Sequence, residues 1–391
     1  MTDSKLKVAL VGCGQIADAH LGEIRRILCA RAVAVCDQYL DLAKQAAARF
    51  GVPGVFTDLG KMLAEVRPDV LHVATPPHTH RPLALQALAA GVHVYVEKPF
   101  TVDVTEAEDV LAAAVAAKRL VCVGHDQLYD PAWQECRDLY QRGELGEVVH
   151  VDAVLGYDLA GPYGRVTASD PDHWVHRLPG KFFHNTIAHA LYKITDFLRD
   201  EEPRIFATWF GALPGTDCPT ELRVFLQGAD VTANLLSSSA IEPSQRVTRV
   251  YGTRRVVEVD LDGRLLRQAR APTLRGPLVK LELPWRQKRE AARSLRRNLW
   301  HFLRSRLHYF TGMHRLFTEF YQAIRTHGEP PIPYAEIRRL MAMMDQIFRS
   351  CRANERLSAL ANEERRLNGQ PVPISPLDPP LTTHHSPLTN P

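Results

Sequence analysis

Leu6-Lys7-Val8-Ala9-Leu10-Val11-Gly12-Cys13-Gly14-Gln15-Ile16-Ala17 decides how the chain folds at its start. The first six residues have the length and apolar character of a strand, and Ile16 to Leu28 is compatible with a helix. Between them, glycines permit a tight turn and let an anion approach bare backbone, while the unpaired amides of the helix start face that anion. Gly12, Gly14, Gln15, Ile16 and Ala17 are therefore the expected contacts of a dinucleotide's pyrophosphate. The next apolar run, Val33-Ala34-Val35-Cys36, ends on Asp37, twenty-three residues after Gly14. A carboxylate there accepts hydrogen bonds from the adenosine ribose hydroxyls and repels a ribose phosphate, which favours NAD over NADP. The competing reading is that Asp37 only starts the following turn.

Outward from this loop, apolar runs near 6–11, 31–36, 69–74, 92–96 and 120–123 alternate with Ala- and Leu-rich amphipathic stretches. That alternation predicts a parallel sheet flanked by helices over residues 1–125. After a helix over Pro131–Arg142, stopped by Gly143, the texture changes to longer alternating segments at 147–155, 205–210, 221–226, 230–236 and 248–261. These predict a second domain over 126–360 with a closing helix at 337–348. The fold class expected is α/β, an N-terminal Rossmann doubly wound parallel sheet plus a C-terminal α/β domain with a large, mostly antiparallel open sheet. The Pro-rich tail, 367–391, has few large apolar groups to offset ordering entropy and reads as disordered.

Two domains suit 391 residues, and a net charge of +4 argues against a nucleic-acid partner. Seven cysteines without a C-x-x-C pair point to reduced thiols. The start of the chain lacks a signal-peptide core, and no uncharged apolar run reaches the roughly 18 residues of a membrane span. A cytoplasmic homo-oligomer is expected.

Asp69-Val70-Leu71-His72-Val73-Ala74-Thr75-Pro76-Pro77-His78-Thr79-His80 and Ala90-Gly91-Val92-His93-Val94-Tyr95-Val96-Glu97-Lys98-Pro99-Phe100, taken with the glycine loop, resemble the Gfo/Idh/MocA family of oxidoreductases. Val250-Tyr251-Gly252-Thr253 and Phe320-Tyr321-Gln322-Ala323-Ile324 look like that family's late sheet and late helix, while 264–306 matches less well. The resemblance implies a dehydrogenase or reductase that moves a hydride between NAD(P) and a carbinol or carbonyl of a sugar, polyol or sugar derivative. It places Thr75, Pro76, His80 and Glu97 beside the cofactor, Glu97 as an ion-pair or backbone-positioning group. It also assigns Lys98 to the substrate oxygen, and a cis Lys98–Pro99 bond would aim that lysine inward.

Oxidising a carbinol also requires a base. In Gly180-Lys181-Phe182-Phe183-His184-Asn185-Thr186-Ile187-Ala188-His189, His189 falls on the family histidine and is the first choice, with His184 second. The stretch departs from the family pattern, with Asn185 in place of Asp and Ile187 in place of Gly. An amide takes up no proton but can orient a hydroxyl, so Asn185 is either a substrate contact or structural. Trp174 and His125 complete the expected substrate contacts. His173, His176, His184 and His189 match no standard ligand spacing, so no metal is expected. Two other functions compete, glycoside cleavage through transient oxidation by NAD, and non-catalytic NAD binding.

One segment stands outside this scheme. Residues 264–306 hold 13 Arg or Lys against 2 Glu, and Leu295, Leu299, Leu303 and Leu307 recur at helical spacing, so 264–310 reads as a basic helical segment. Four readings suit 285–310, namely a core-packed helix with a solvated face, a peripheral membrane contact, an oligomer contact, or a contact with an acidic substrate such as a sugar nucleotide if the helix borders the cleft.

Overall fold

The computed structural model describes residues 5–367, apart from 160, 162–163, 166, 168–169, 171, 214–215 and 305–309. For 358–359 and 361–367 it describes the backbone alone. The expected disordered tail therefore lies almost wholly outside the described residues.

Six strands form the first sheet, β1 (Leu6–Val11), β2 (Ala30–Cys36), β3 (Gly54–Phe56), β4 (Val70–Val73), β5 (His93–Val96) and β6 (Val121–Val123). They are ordered 3-2-1-4-5-6 and every pairing is parallel, the doubly wound Rossmann topology. β3 escapes sequence reading because three residues are too few to show a period. Helices α1 (Ala17–Arg26), α2 (Leu40–Phe50), α3 (Leu59–Val66), α4 (His80–Ala89) and α5 (Val104–Ala117) make the crossovers. Leu10, Ala17, Leu21, Val35 and Ala46 pack one face of the sheet in a small cluster of their own. The other face joins a core that continues into the second half of the chain.

After α6 (Pro131–Gln141), the second sheet is built from β7 (Val148–Gly156), β8 (Arg204–Phe210), β9 (Glu221–Gln227), β10 (Thr232–Ser238), β11 (Arg246–Gly252), β12 (Val256–Asp260) and β13 (Leu265–Ala269). Its order is 13-12-11-7-10-9-8, antiparallel except where β10 lies parallel to β7. Two expectations are corrected here. The alternation over 248–261 is two strands of a hairpin, turning after Gly252, where a Cβ would lie 2.2 Å from the Leu145 carbonyl oxygen. The basic segment begins as an edge strand, β13, and only later becomes helical.

Two short helices, α7 (Lys181–Thr186) and α8 (Ala188–Thr195), lie between β7 and β8, and three long ones end the described chain: α9 (Val279–Leu303), α10 (Thr311–Thr326) and α11 (Tyr334–Leu367). The last two return to the first sheet. Phe317 and Tyr321 of α10 pack on His72 of β4, and the Tyr334 hydroxyl accepts the Val121 N–H of β6 at 2.9 Å. Further along α11, Ser350 and Asn354 bond to Ala207 of β8. One helix thus spans both sheets and fixes where the ends of the Rossmann strands face α7 and α8.

Candidate active site

The turn after β1 has the shape its glycines suggest. Gly12 sits at φ +93°, and a Cβ there would lie 2.6 Å from the Ala74 carbonyl oxygen, a clash with rigid backbone. Gly14 has nothing within 4 Å of the position its Cβ would take, and α1 starts without a side-chain cap. The result is an open turn at the start of a helix, which fits a pyrophosphate. Asp37 stands at the end of β2 and accepts the Cys13 N–H at 2.7 Å and the Tyr39 N–H at 2.9 Å. The same carboxylate braces the glycine loop and starts the next turn, the role that the competing reading gives it.

Lys98 follows β5, and the Lys98–Pro99 peptide is cis. Its ammonium donates to the backbone carbonyl of Asn185 at 3.0 Å and to the Asn185 Oδ1 at 3.3 Å. This joins the edge of the first sheet to α7. Burial pulls the Lys98 pKa down, while Glu97 and Asp126 oppose that shift. His189, on α8, is half-buried, with Nδ1 2.9 Å from the Tyr192 hydroxyl. Burial, then the charges of Lys98 and Lys193, hold its pKa well below 6.5, so the ring is neutral near pH 7. When Nδ1 carries the hydrogen and donates to Tyr192, Nε2 is left to accept a proton.

Sequence reasoning passed over an acid in this cluster. Asp126 follows His125 at the end of β6, and burial together with Glu97 pushes its carboxyl up to about 7, with Lys98 pulling the other way. A carboxyl titrating near neutrality within reach of a lysine's charge is a candidate for handling protons. It lies in the stretch Gly124-His125-Asp126-Gln127, where the sequence drew attention to His125 instead. The His125 ring is buried 4.7 Å from Tyr192, and burial pushes its pKa down to about 3. Its Nε2 has no partner among the described residues.

Glu97 belongs to a buried chain of polar groups. Its Oε1 lies 3.0 Å from His20 Nε2, His20 Nδ1 lies 2.9 Å from His72 Nδ1, and His72 Nε2 lies 2.8 Å from the Tyr321 hydroxyl. Glu97 is held below the usual carboxylate range chiefly by the His20 bond, which outweighs part of a burial effect in the other direction, and His72 is held well below 6.5 by burial. The Glu97 carboxylate accepts from the His20 Nε2–H, and His72 links that ring to the Tyr321 hydroxyl. The expected ion-pair role of Glu97 thus has His20 as its partner. A polar residue inside an apolar strand, His72, was the visible signal, but its partners are 52 and 249 residues away.

Three expected contacts need correction. His80 is 1% exposed, and its ring is enclosed by the carbonyl oxygens of Thr75 (2.7 Å), Pro99 (3.1 Å) and Phe100 (3.1 Å). It ties the β4 turn to the β5 turn and offers nothing to a cofactor directly. His184 is fully buried, stacked 5.2 Å from Phe348, because adjacent residues on α7 point about 100° apart and Asn185 takes the open side. The Trp174 ring lies tilted with its centroid 5.0 Å from that of His173, and no described hydrogen bond or ring contact joins it to the Lys98 cluster. Thr75 accepts from the Thr79 hydroxyl at 2.6 Å, and its methyl would lie 2.8 Å from a Cβ at Gly12, so Thr75 and Pro76 wall the glycine turn. A concavity of about 1090 Å³ on the outer face of the second sheet, lined by Asp152, Arg223 and Arg249, lies apart from all these groups.

Residues 6–125 match the family described as oxidoreductase family, NAD-binding Rossmann fold. Over that span the chain resembles the Gfo/Idh/MocA family. It is 41% identical over 150 residues to inositol 2-dehydrogenase 4 of Saccharopolyspora erythraea, covering 37% of this chain and 44% of that one. To D-glucoside 3-dehydrogenase of Escherichia coli it is 34% identical over 149 residues, covering 38% and 42%. These matches span less than half the length of either relative. The fold likeness reaches further. The WlbA dehydrogenase of Bordetella pertussis, solved with NADH and UDP-GlcNAcA, superposes with a TM-score of 0.73 over 90% of this chain and 97% of that one, at 20% identity. UDP-N-acetylglucosamine 3-dehydrogenase from Acidithiobacillus ferrooxidans gives 0.68 over 89% and 98%, at 21%. Across both sheets, therefore, the chain shares the fold of these two proteins.

Proposed function

We propose that this protein is an NAD-dependent oxidoreductase acting on a CH–OH group, or the corresponding carbonyl, of a sugar, polyol or sugar derivative. One observation carries the reading: the Lys98 ammonium, which follows a strand of the same parallel sheet as the glycine loop, is held by Asn185 where its charge acts on a neutral His189. Gly12, Gly14 and the start of α1 would hold the pyrophosphate, and Asp37 the adenosine ribose, where it favours NAD. NAD, when bound, supplies the acceptor for a hydride from the carbinol carbon. Lys98 donates a hydrogen bond to the carbinol oxygen and stabilises the negative charge that builds there as the C–H bond breaks. His189 takes the hydroxyl proton at Nε2, while Nδ1 stays bonded to Tyr192. Asn185 has its carbonyl and Oδ1 turned to Lys98, which makes it a group that positions the lysine. Asp126, when ionised, adds a negative charge that keeps the ammonium protonated.

The names of the relatives supply the test. Purified protein with NAD is offered inositols, glucosides and UDP-sugars while absorbance of the reduced cofactor is followed. At least one class is expected to give NADH. Silence across the panel, with NAD binding intact, would overturn the catalytic reading in favour of a binding protein.

A further inference from the structure

Helix α9 packs with its polar side inward. Glu282 accepts the N–H groups of Thr273 (2.9 Å) and Leu274 (2.8 Å), and pairs with Arg286. Glu290 accepts the Gln268 N–H at 2.9 Å, Asn298 donates to the Gly263 carbonyl at 2.9 Å, and Arg297 bridges Glu135 and the Arg264 carbonyl at 2.7 Å each. The apolar side faces out. Leu281, Trp285, Leu295, Leu299 and Leu303 are 69%, 55%, 68%, 53% and 74% exposed. At about 100° per residue they fall within roughly 80° of the helix surface, a stripe interrupted by Lys288 between Trp285 and Leu295. The core-packed reading of this segment is thereby corrected: its aliphatic face is the uncovered one.

The stripe has a rim of one sign. Arg289 and Arg296 are exposed along one side of it and Lys288 within it, and the Arg289 guanidinium lies 4.7 Å from the Trp285 ring. Both acids of the helix, Glu282 and Glu290, are occupied on the inner side. Two copies meeting stripe to stripe would oppose like charges, and a nucleic acid would leave the leucines and Trp285 in water. An anionic lipid surface satisfies both the rim and the stripe. Among the described residues no helix is long and apolar enough to cross a membrane, so contact is in the plane of the surface. The geometry points to α9 as an interfacial anchor that docks the protein on anionic phospholipid, its stripe laid into the boundary between headgroups and acyl chains.

The full chain is tested by co-sedimentation with vesicles of phosphatidylcholine, alone or mixed with phosphatidylglycerol. Binding is expected to the mixed vesicles only. Lys288→Gln with Arg296→Gln should lower partitioning roughly thirtyfold, at about 1 kcal/mol for each basic residue removed. Leu295→Ser with Leu299→Ser should lower it more than tenfold, since each buried leucine contributes a further apolar term. Both pairs are exposed, so an unchanged melting temperature and NADH affinity establish that the variants are folded. No binding to either vesicle, equal binding to both, or full binding by the leucine variant would overturn the anchor. So would sedimentation velocity showing a dimer that Leu299→Ser disrupts.

Discussion

Lys98 and Asp126 set each other's protonation, and the consequence for stability has a definite sign. The Asp126 carboxyl moves from 3.8 to about 7 in the folded chain. Between those values the folded state holds a proton that the unfolded chain has lost, so stability falls as pH rises through the window. Asp126→Asn removes that loss. Its gain in melting temperature over the parent should grow from 3.8 to about 7 and then level off, as thermal unfolding across pH would record. A gain independent of pH would mean that Asp126 is not the buried acid described. Gly12 makes a second residue-scale test. With φ +93° and a Cβ 2.6 Å from the Ala74 oxygen, Gly12→Ala should reshape the loop and abolish NADH binding in a fluorescence titration. Unchanged affinity would remove this turn from the account.

Between elements, the chain Tyr321–His72–His20–Glu97 links α10, β4, α1 and the end of β5. Tyr321→Phe leaves the His72 Nε2 buried without this partner, a cost of about 1–3 kcal/mol measurable by denaturant unfolding. His20→Phe reaches the site itself. It removes the bond that lowers Glu97 most effectively, so Glu97 loses charge more readily and raises the Lys98 pKa less. The alkaline limb of the kcat profile should then move to lower pH, a displacement that a merely structural histidine would not produce. The same elements mark where sequence reasoning stops. The glycine loop, Asp37 and Lys98 are legible because each is local, a strand end followed by a turn. The histidine chain is assembled from positions up to 249 apart, and no period in the sequence joins them. On α7 the sequence offers His184 and Asn185 side by side, and only packing against Phe348 decides which one turns to the lysine. Periodicity in α9 likewise reveals an apolar face but not its direction, which is set by Glu282, Glu290 and Arg297 holding the other face to β13 and α6.

At the scale of the whole molecule, the two sheets meet through α10 and α11, and the proposed reaction takes place where their edges face each other. Cofactor groups come from the first sheet, whereas Asn185 and His189 come from the helices inserted in the second. That division of labour makes binding and chemistry separable in one experiment. Lys98→Met keeps the length and apolar stem of the side chain but removes the ammonium that Asn185 holds. Calorimetric titration of NADH and the rate of NADH formation with the best substrate are measured together on this variant and its parent. The account predicts NADH affinity within a few-fold of the parent and a loss of turnover of at least 10²–10³-fold, the scale on which one charge-stabilising donor acts. Turnover close to that of the parent would contradict it.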